Sequence, residues 1–112
     1  MDLQRKKELL YEWNNRHPEM GVIAIVCKET GDAFLTISKD TSVGFNRHRF
    51  QLPANMHPNK ALQALWNQYG ESGFAYTVVK VLEYKDPLED YTEELEEMLE
   101  QCLAEMPKAK KM

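Results

Sequence analysis

Apolar and polar positions alternate along this chain in blocks that predict its elements. Leu3, Leu9, Leu10 and Trp13 share one face of a helix over about 2–15, which Asn14, Asn15 and the His17-Pro18 pair end. Gly21 opens a continuous apolar run, Val22 to Cys27. A polar turn, Lys28 to Asp32, leads into a second run from Ala33 to Ile37. Their β-branched content and the Gly31-Asp32 connection predict a hairpin. Asp40, Thr41 and Ser42 are candidate N-caps for a short helix through about Leu52. After a loop marked by Pro53, Asn55 and Pro58, the residues Ala61, Leu62, Leu65, Trp66 and Tyr69 give a second helix an apolar face, and Gly70 is placed to end it.

Phe74 to Leu82 reads as a third strand. The last helix has two start signals, Asp86-Pro87-Leu88-Glu89 and Asp90-Tyr91-Thr92-Glu93, and the pattern does not choose between them. Leu95, Met98, Leu99, Cys102, Leu103 and Met106 supply its stripe, Pro107 stops it, and Lys108, Lys110 and Lys111 form a basic tail expected to be disordered. The expected fold class is α+β, a small three-stranded, mostly antiparallel sheet with flanking helices in the order ββααβα, plus an extra N-terminal helix. The expected organisation is a helical extension over 1–20, one domain over 21–106 and a tail over 107–112.

A length of 112 residues fits one domain able to bury a core without staples. No apolar run reaches a membrane-spanning length, and the opening Met1 to Lys7 has no signal-peptide segment, so the expected location is cytoplasmic. Cys27 and Cys102 have no neighbouring cysteines at metal-ligand spacing and read as buried, reduced thiols. The net charge of −4 conceals an asymmetry: nine acids and no lysine or arginine lie between Asp86 and Glu105, leaving about +5 elsewhere. Lys39, Arg47, Arg49 and Lys60, with Asp40 the one acid between the two lysines, make a modest basic patch. The acidic helix would repel phosphate, so nucleic-acid binding through residues 39–60 is expected to be weak and salt-sensitive.

The stretch Phe45-Asn46-Arg47-His48-Arg49-Phe50, then His57-Pro58-Asn59-Lys60 and Leu62-Gln63-Ala64-Leu65-Trp66-Asn67-Gln68-Tyr69-Gly70, resembles the middle of a GIY-YIG nuclease domain, where a helix with arginine and histidine precedes an "NK-LQ-xWN-YG" helix. The resemblance covers roughly 21–105 and is strongest over 45–82. It implies metal-dependent phosphodiester cleavage, with a first-signature tyrosine activating the nucleophile, an arginine stabilising the phosphate and a glutamate holding one divalent metal. Such a reaction needs a nucleophile, a cation facing the developing charge and a carboxylate-held metal.

The implied chemistry is interrupted. Gly21-Val22-Ile23 stands at the first signature with Ile23 for tyrosine, Phe34-Leu35-Thr36 stands at the second without hydroxyl or glycine, and Gly44 occupies the arginine position. His48 and His57 match family histidines, and Glu93 falls at the glutamate position, with Glu94 and Glu97 as alternatives within one turn. Arg47, His48 and His57 are the candidate catalytic residues and Glu93 the candidate metal ligand. Each also has a plain structural role: Glu93 can serve the first turn beside an Asp90 cap, and the histidines can be core residues.

The preferred expectation is a catalytically inactive GIY-YIG-like domain acting as a binding or interaction module, without a cofactor. The alternative is an active endonuclease with a rearranged site, using Arg47 or Arg49 for phosphate and Glu93 for Mg or Mn. A protein partner is also expected for the N-terminal helix if Leu9, Leu10 and Trp13 do not pack on the domain.

Overall fold

In the computed structural model, which describes residues 18–86 and 88–112, strands β1 (Met20–Cys27) and β2 (Ala33–Ser38) form the antiparallel hairpin. Strand β3 (Phe74–Leu82) pairs antiparallel with the other edge of β1, so β1 is central. Its uninterrupted apolar sequence follows from burial on both faces. Val22, Ile23, Ala24 and Ile25 are all fully buried.

The pleat sends alternate side chains to opposite layers. On one face, Ile25, Cys27 and Phe34 pack with Leu52, Leu62, Trp66 and Phe74, beneath helices α1 (Thr41–Gln51) and α2 (Lys60–Tyr69). On the other, Val22, Ala24 and Leu35 pack with Leu99 and Cys102 of helix α3 (Thr92–Glu105). Cys27 and Cys102 therefore belong to different packing layers, and both are free thiols.

Side-chain caps explain the starts of α1 and α2. The Asp40 carboxylate accepts from the amides of Ser42 and Val43 at 3.1 and 3.3 Å, and the Asn59 side chain accepts from the Leu62 amide at 3.0 Å. The last helix starts at the second signal but without the expected Asp90 cap: Tyr91 is its N-cap and makes no side-chain cap bond, Asp90 accepts from the Thr92 amide from one residue before it, and Asp86 accepts from the Leu88 amide in a separate turn. Gly70 ends α2 with φ 74°, in the left-handed region that glycine adopts readily.

The sheet has four strands, not three, because the basic tail is ordered. Ala109–Lys111 forms β4, parallel to β2, giving the order β3-β1-β2-β4. The Ala33 amide donates to Lys108 O at 3.1 Å and the Met112 amide to Leu35 O at 2.8 Å. Lys110 reaches Asp32 at 3.6 Å, and Met112 packs against the core of the α1–α2 side. These non-local contacts hold a segment whose composition alone reads as a loose tail. The helix expected over 2–15 lies outside the described residues. Among the described residues, no helix is long and apolar enough to cross a membrane.

Candidate functional site

Helix α1 has no apolar stripe to bind it to the sheet. Its buried residues are Thr41 and His48, while Val43 and Phe50 face outward. Polar contacts position it instead: the Thr41 hydroxyl donates to the Glu19 carboxylate at 2.8 Å, and the Thr41 amide donates to Glu19 O at 3.0 Å. The inward face of α1 thereby presents a histidine to the interior, with Arg47 beside it at the surface.

His48 and His57, expected separately from the sequence, are brought together. Their Nδ1 and Nε2 atoms lie 2.9 Å apart, in rings that are both buried. The Asn59 backbone amide donates to His57 Nδ1 at 3.0 Å, so that nitrogen is unprotonated. Neutral His57 then carries its proton on Nε2 and donates it to His48 Nδ1. Neutral His48 must in turn carry its own proton on Nε2. Burial is the largest influence keeping His48 neutral, followed by the neighbouring His57 and Arg47, and its pKa falls to about 4. Burial also lowers the pKa of His57.

A buried polar network holds His57 in place. The His57 amide donates to Gln63 Oε1 at 3.1 Å, and Gln63 Nε2 donates to Leu52 O at 2.9 Å and to Asn67 Oδ1 at 3.1 Å. Gln63 and Asn59 escaped the sequence reading as site residues. Their sequence signals are their places in the Asn59-Lys60 and Leu62-Gln63 stretch that carries the resemblance and, for Gln63, a polar residue beside Leu62 on the helix face that packs inward, with Asn67 one turn on.

The histidine pair opens onto two adjoining hollows of about 650 and 410 Å³ that share Thr36, Arg47 and His48. Lys60 and Lys111 also line the larger, and Lys39 the smaller. Among the described residues, Arg47, Lys60 and Lys111 make no ion pair. Arg49 points elsewhere, its guanidinium carbon 4.7 Å from the Tyr76 ring centre and 5.7 Å from that of Phe45.

The signature positions are filled by packing. Ile23 and Phe34 are buried, and a Cβ on Gly44 would lie 2.8 Å from Ser38 Oγ and 3.1 Å from Ile23 Cδ1. The space into which a side chain from position 44 would start is occupied. Glu93, Glu94 and Glu97 are exposed on α3 and line neither hollow, although Asp90, just before that helix, reaches Lys39 at 3.9 Å. Both His57 nitrogens are engaged, and among the described residues no three His, Cys, Asp or Glu side chains are grouped to hold a metal ion.

Comparison of the sequence with family models and with curated proteins gives no match. The structure, in contrast, is similar to the catalytic domain of the homing endonuclease I-TevI, with a TM-score of 0.69 and 17% identity over 83% of this chain and 97% of that one. It is also similar to a form of the catalytic domain of intron endonuclease I-TevI in which one glutamate is replaced by alanine, with a TM-score of 0.66 and 18% identity over 80% of this chain and 84% of that one. At such identities the likeness is one of fold.

Proposed function

We propose, on the premise that this chain has a GIY-YIG nuclease-like fold, that it is a non-cleaving module that binds nucleic-acid phosphates through the cleft between β2, α1 and the start of α2. The observation that carries this reading is the filled space at Gly44. Ser38 and Ile23 stand where an arginine side chain would have to begin, beside a cleft that keeps unpaired cations. Removing one preorganised donor typically costs about 10²–10³ in rate, and the tyrosine and arginine positions are both without polar groups here. The cations remain useful for binding, since attraction to phosphate needs no proton transfer.

The rival reading, a rearranged nuclease, has Arg47 and His48 in the cleft in its favour. Against it, Arg49 is stacked on aromatic rings and Glu93 is exposed outside the cleft lining.

Incubation with Mg²⁺ or Mn²⁺ and linear, supercoiled or branched DNA is expected to leave the DNA uncut. Cutting that requires metal and disappears with Glu93→Ala would overturn the reading. Duplex binding should be weak, with Kd of roughly 10–100 µM at physiological salt. If Arg47, Lys60 and Lys111 each neutralise one phosphate, affinity should fall about 40-fold between 50 and 200 mM salt. Arg47→Ala should reduce the salt slope by about one unit.

A further inference from the structure

The relay through the two histidines has an open end. His48 Nδ1 is taken up by His57, and His57 Nδ1 by the Asn59 amide, but His48 Nε2 meets no protein partner among the described residues. It is not sealed in either: the one buried side-chain nitrogen or oxygen left without a partner among them is the Tyr76 hydroxyl. Since His48 is only 9% exposed yet lines both hollows, its remaining nitrogen reaches solvent through the cleft. A nearly buried side chain thus turns one N–H toward a space walled by Arg47, Lys60 and Lys111.

We propose that His48 Nε2–H is a phosphate-binding donor, with His57 and Asn59 as positioning residues that fix its tautomer. The inference rests on the phosphate-binding reading above and assigns its seat. The relay has one self-consistent direction. The Asn59 amide can only donate, so His57 must donate onward, and the free nitrogen of His48 must carry a proton. An anion placed there meets a donor whose orientation is set in advance, in a hollow that Arg47 and Lys60 also line. A ligand nitrogen that can only donate would meet N–H facing N–H and be rejected. The seat therefore selects acceptors, and its uncompensated cations select anionic ones. The phosphate can be an internal diester or a terminal monoester of a polynucleotide. In neither case does His48 serve as a proton acceptor, because its one basic nitrogen is occupied.

The test uses the full chain, with 5′-phosphorylated and 5′-hydroxyl oligothymidylate and inorganic phosphate as probes. The ¹⁵N imidazole spectrum of the unliganded protein should show His48 protonated on Nε2, and His57→Phe should convert it to a mixture of tautomers. His48→Phe should weaken oligonucleotide binding at least about tenfold while the urea midpoint shows a folded domain, and His48→Gln, which keeps a donor, should recover much of the loss. Tighter binding of the 5′-phosphorylated strand assigns the seat to a terminal phosphate; equal binding assigns it to a diester. Proton density on His48 Nδ1, or unchanged affinity in His48→Phe while Arg47→Ala weakens binding, overturns the donor assignment and leaves the phosphate-binding cleft standing. Wild-type protein that binds none of the three probes overturns both.

Discussion

Replacing Gly44 with alanine sets two effects of opposite sign against each other. At an unobstructed helix interior the change stabilises by roughly 0.5–1 kcal/mol, because glycine loses more backbone freedom on folding. In α1 the new Cβ would lie 2.8 Å from Ser38 Oγ and 3.1 Å from Ile23 Cδ1. Neither neighbour yields easily: Ile23 is fully buried, and the Ser38 hydroxyl donates to Asp40 O at 2.7 Å, the carbonyl of the residue that caps the same helix. Rotating Ser38 away forfeits that bond at about 1 kcal/mol, and crowding costs about 1–3 kcal/mol more.

The expected net effect is a destabilisation of about 1–3 kcal/mol. Ser38→Ala removes the closer obstacle at a cost of its own of about 1 kcal/mol, and in that background Gly44→Ala should fall to within about 1 kcal/mol of neutral. Urea titration of the four proteins of this cycle measures the coupling. A Gly44→Ala protein more stable than wild type, or additive changes across the cycle, would refute the packing argument. The same geometry predicts that Gly44→Arg, although it supplies the residue type the resemblance implies there, yields a less stable protein and no cleavage.

Other consequences are measurable in the same way. Asp40→Ala should lower stability by about 1 kcal/mol, read from the urea midpoint, because two first-turn amides of α1 lose their acceptor. Gln63→Leu should cost about 2–4 kcal/mol by leaving the His57 amide and Leu52 O without partners, and a neutral result would show that the network is dispensable. Because His48 binds its proton only near pH 4 when folded but near 6.5 when unfolded, its contribution is complete above pH 6.5 and is lost as pH falls toward 4. That loss should reach about 2–3 kcal/mol, and it should shrink in His48→Phe; parallel stability curves for the two proteins would contradict the assignment. Amide exchange at Ala33 and Met112 should be slowed by the β2–β4 pairing, and unprotected exchange at both would argue that β4 does not form.

Much of the scaffold was legible because its signals are local. The apolar runs of β1 and β2, the Asp40 cap, the Ala61-to-Tyr69 face and the Gly70 stop each declare themselves within a few residues. The start of α3 was not, because Asp86 and Asp90 both make Asx contacts and only packing chooses where the helix begins. Strand β4 is three residues long and carries two lysines, so neither period nor composition marks it. Its partner β2 lies about 76 residues earlier, Ala33 pairing with Ala109. At the site, His48, His57 and Arg47 could be named individually. The hydrogen-bonded pair, the tautomer imposed by Asn59 and the crowding at Gly44 depend on distances between segments, which a linear pattern does not contain.

Strand β4 has a further consequence for how copies of this protein meet. Without it, β2 would be the outer strand on that side, offering its backbone groups to any passing strand and inviting aggregation. The strand that takes that place is short and bears Lys110 and Lys111, so a second molecule approaching edge to edge would set lysine against lysine. The segment that contributes a cation to the cleft is thus also the gatekeeper of the sheet. Substitutions chosen to neutralise it should be judged for solubility as well as for binding.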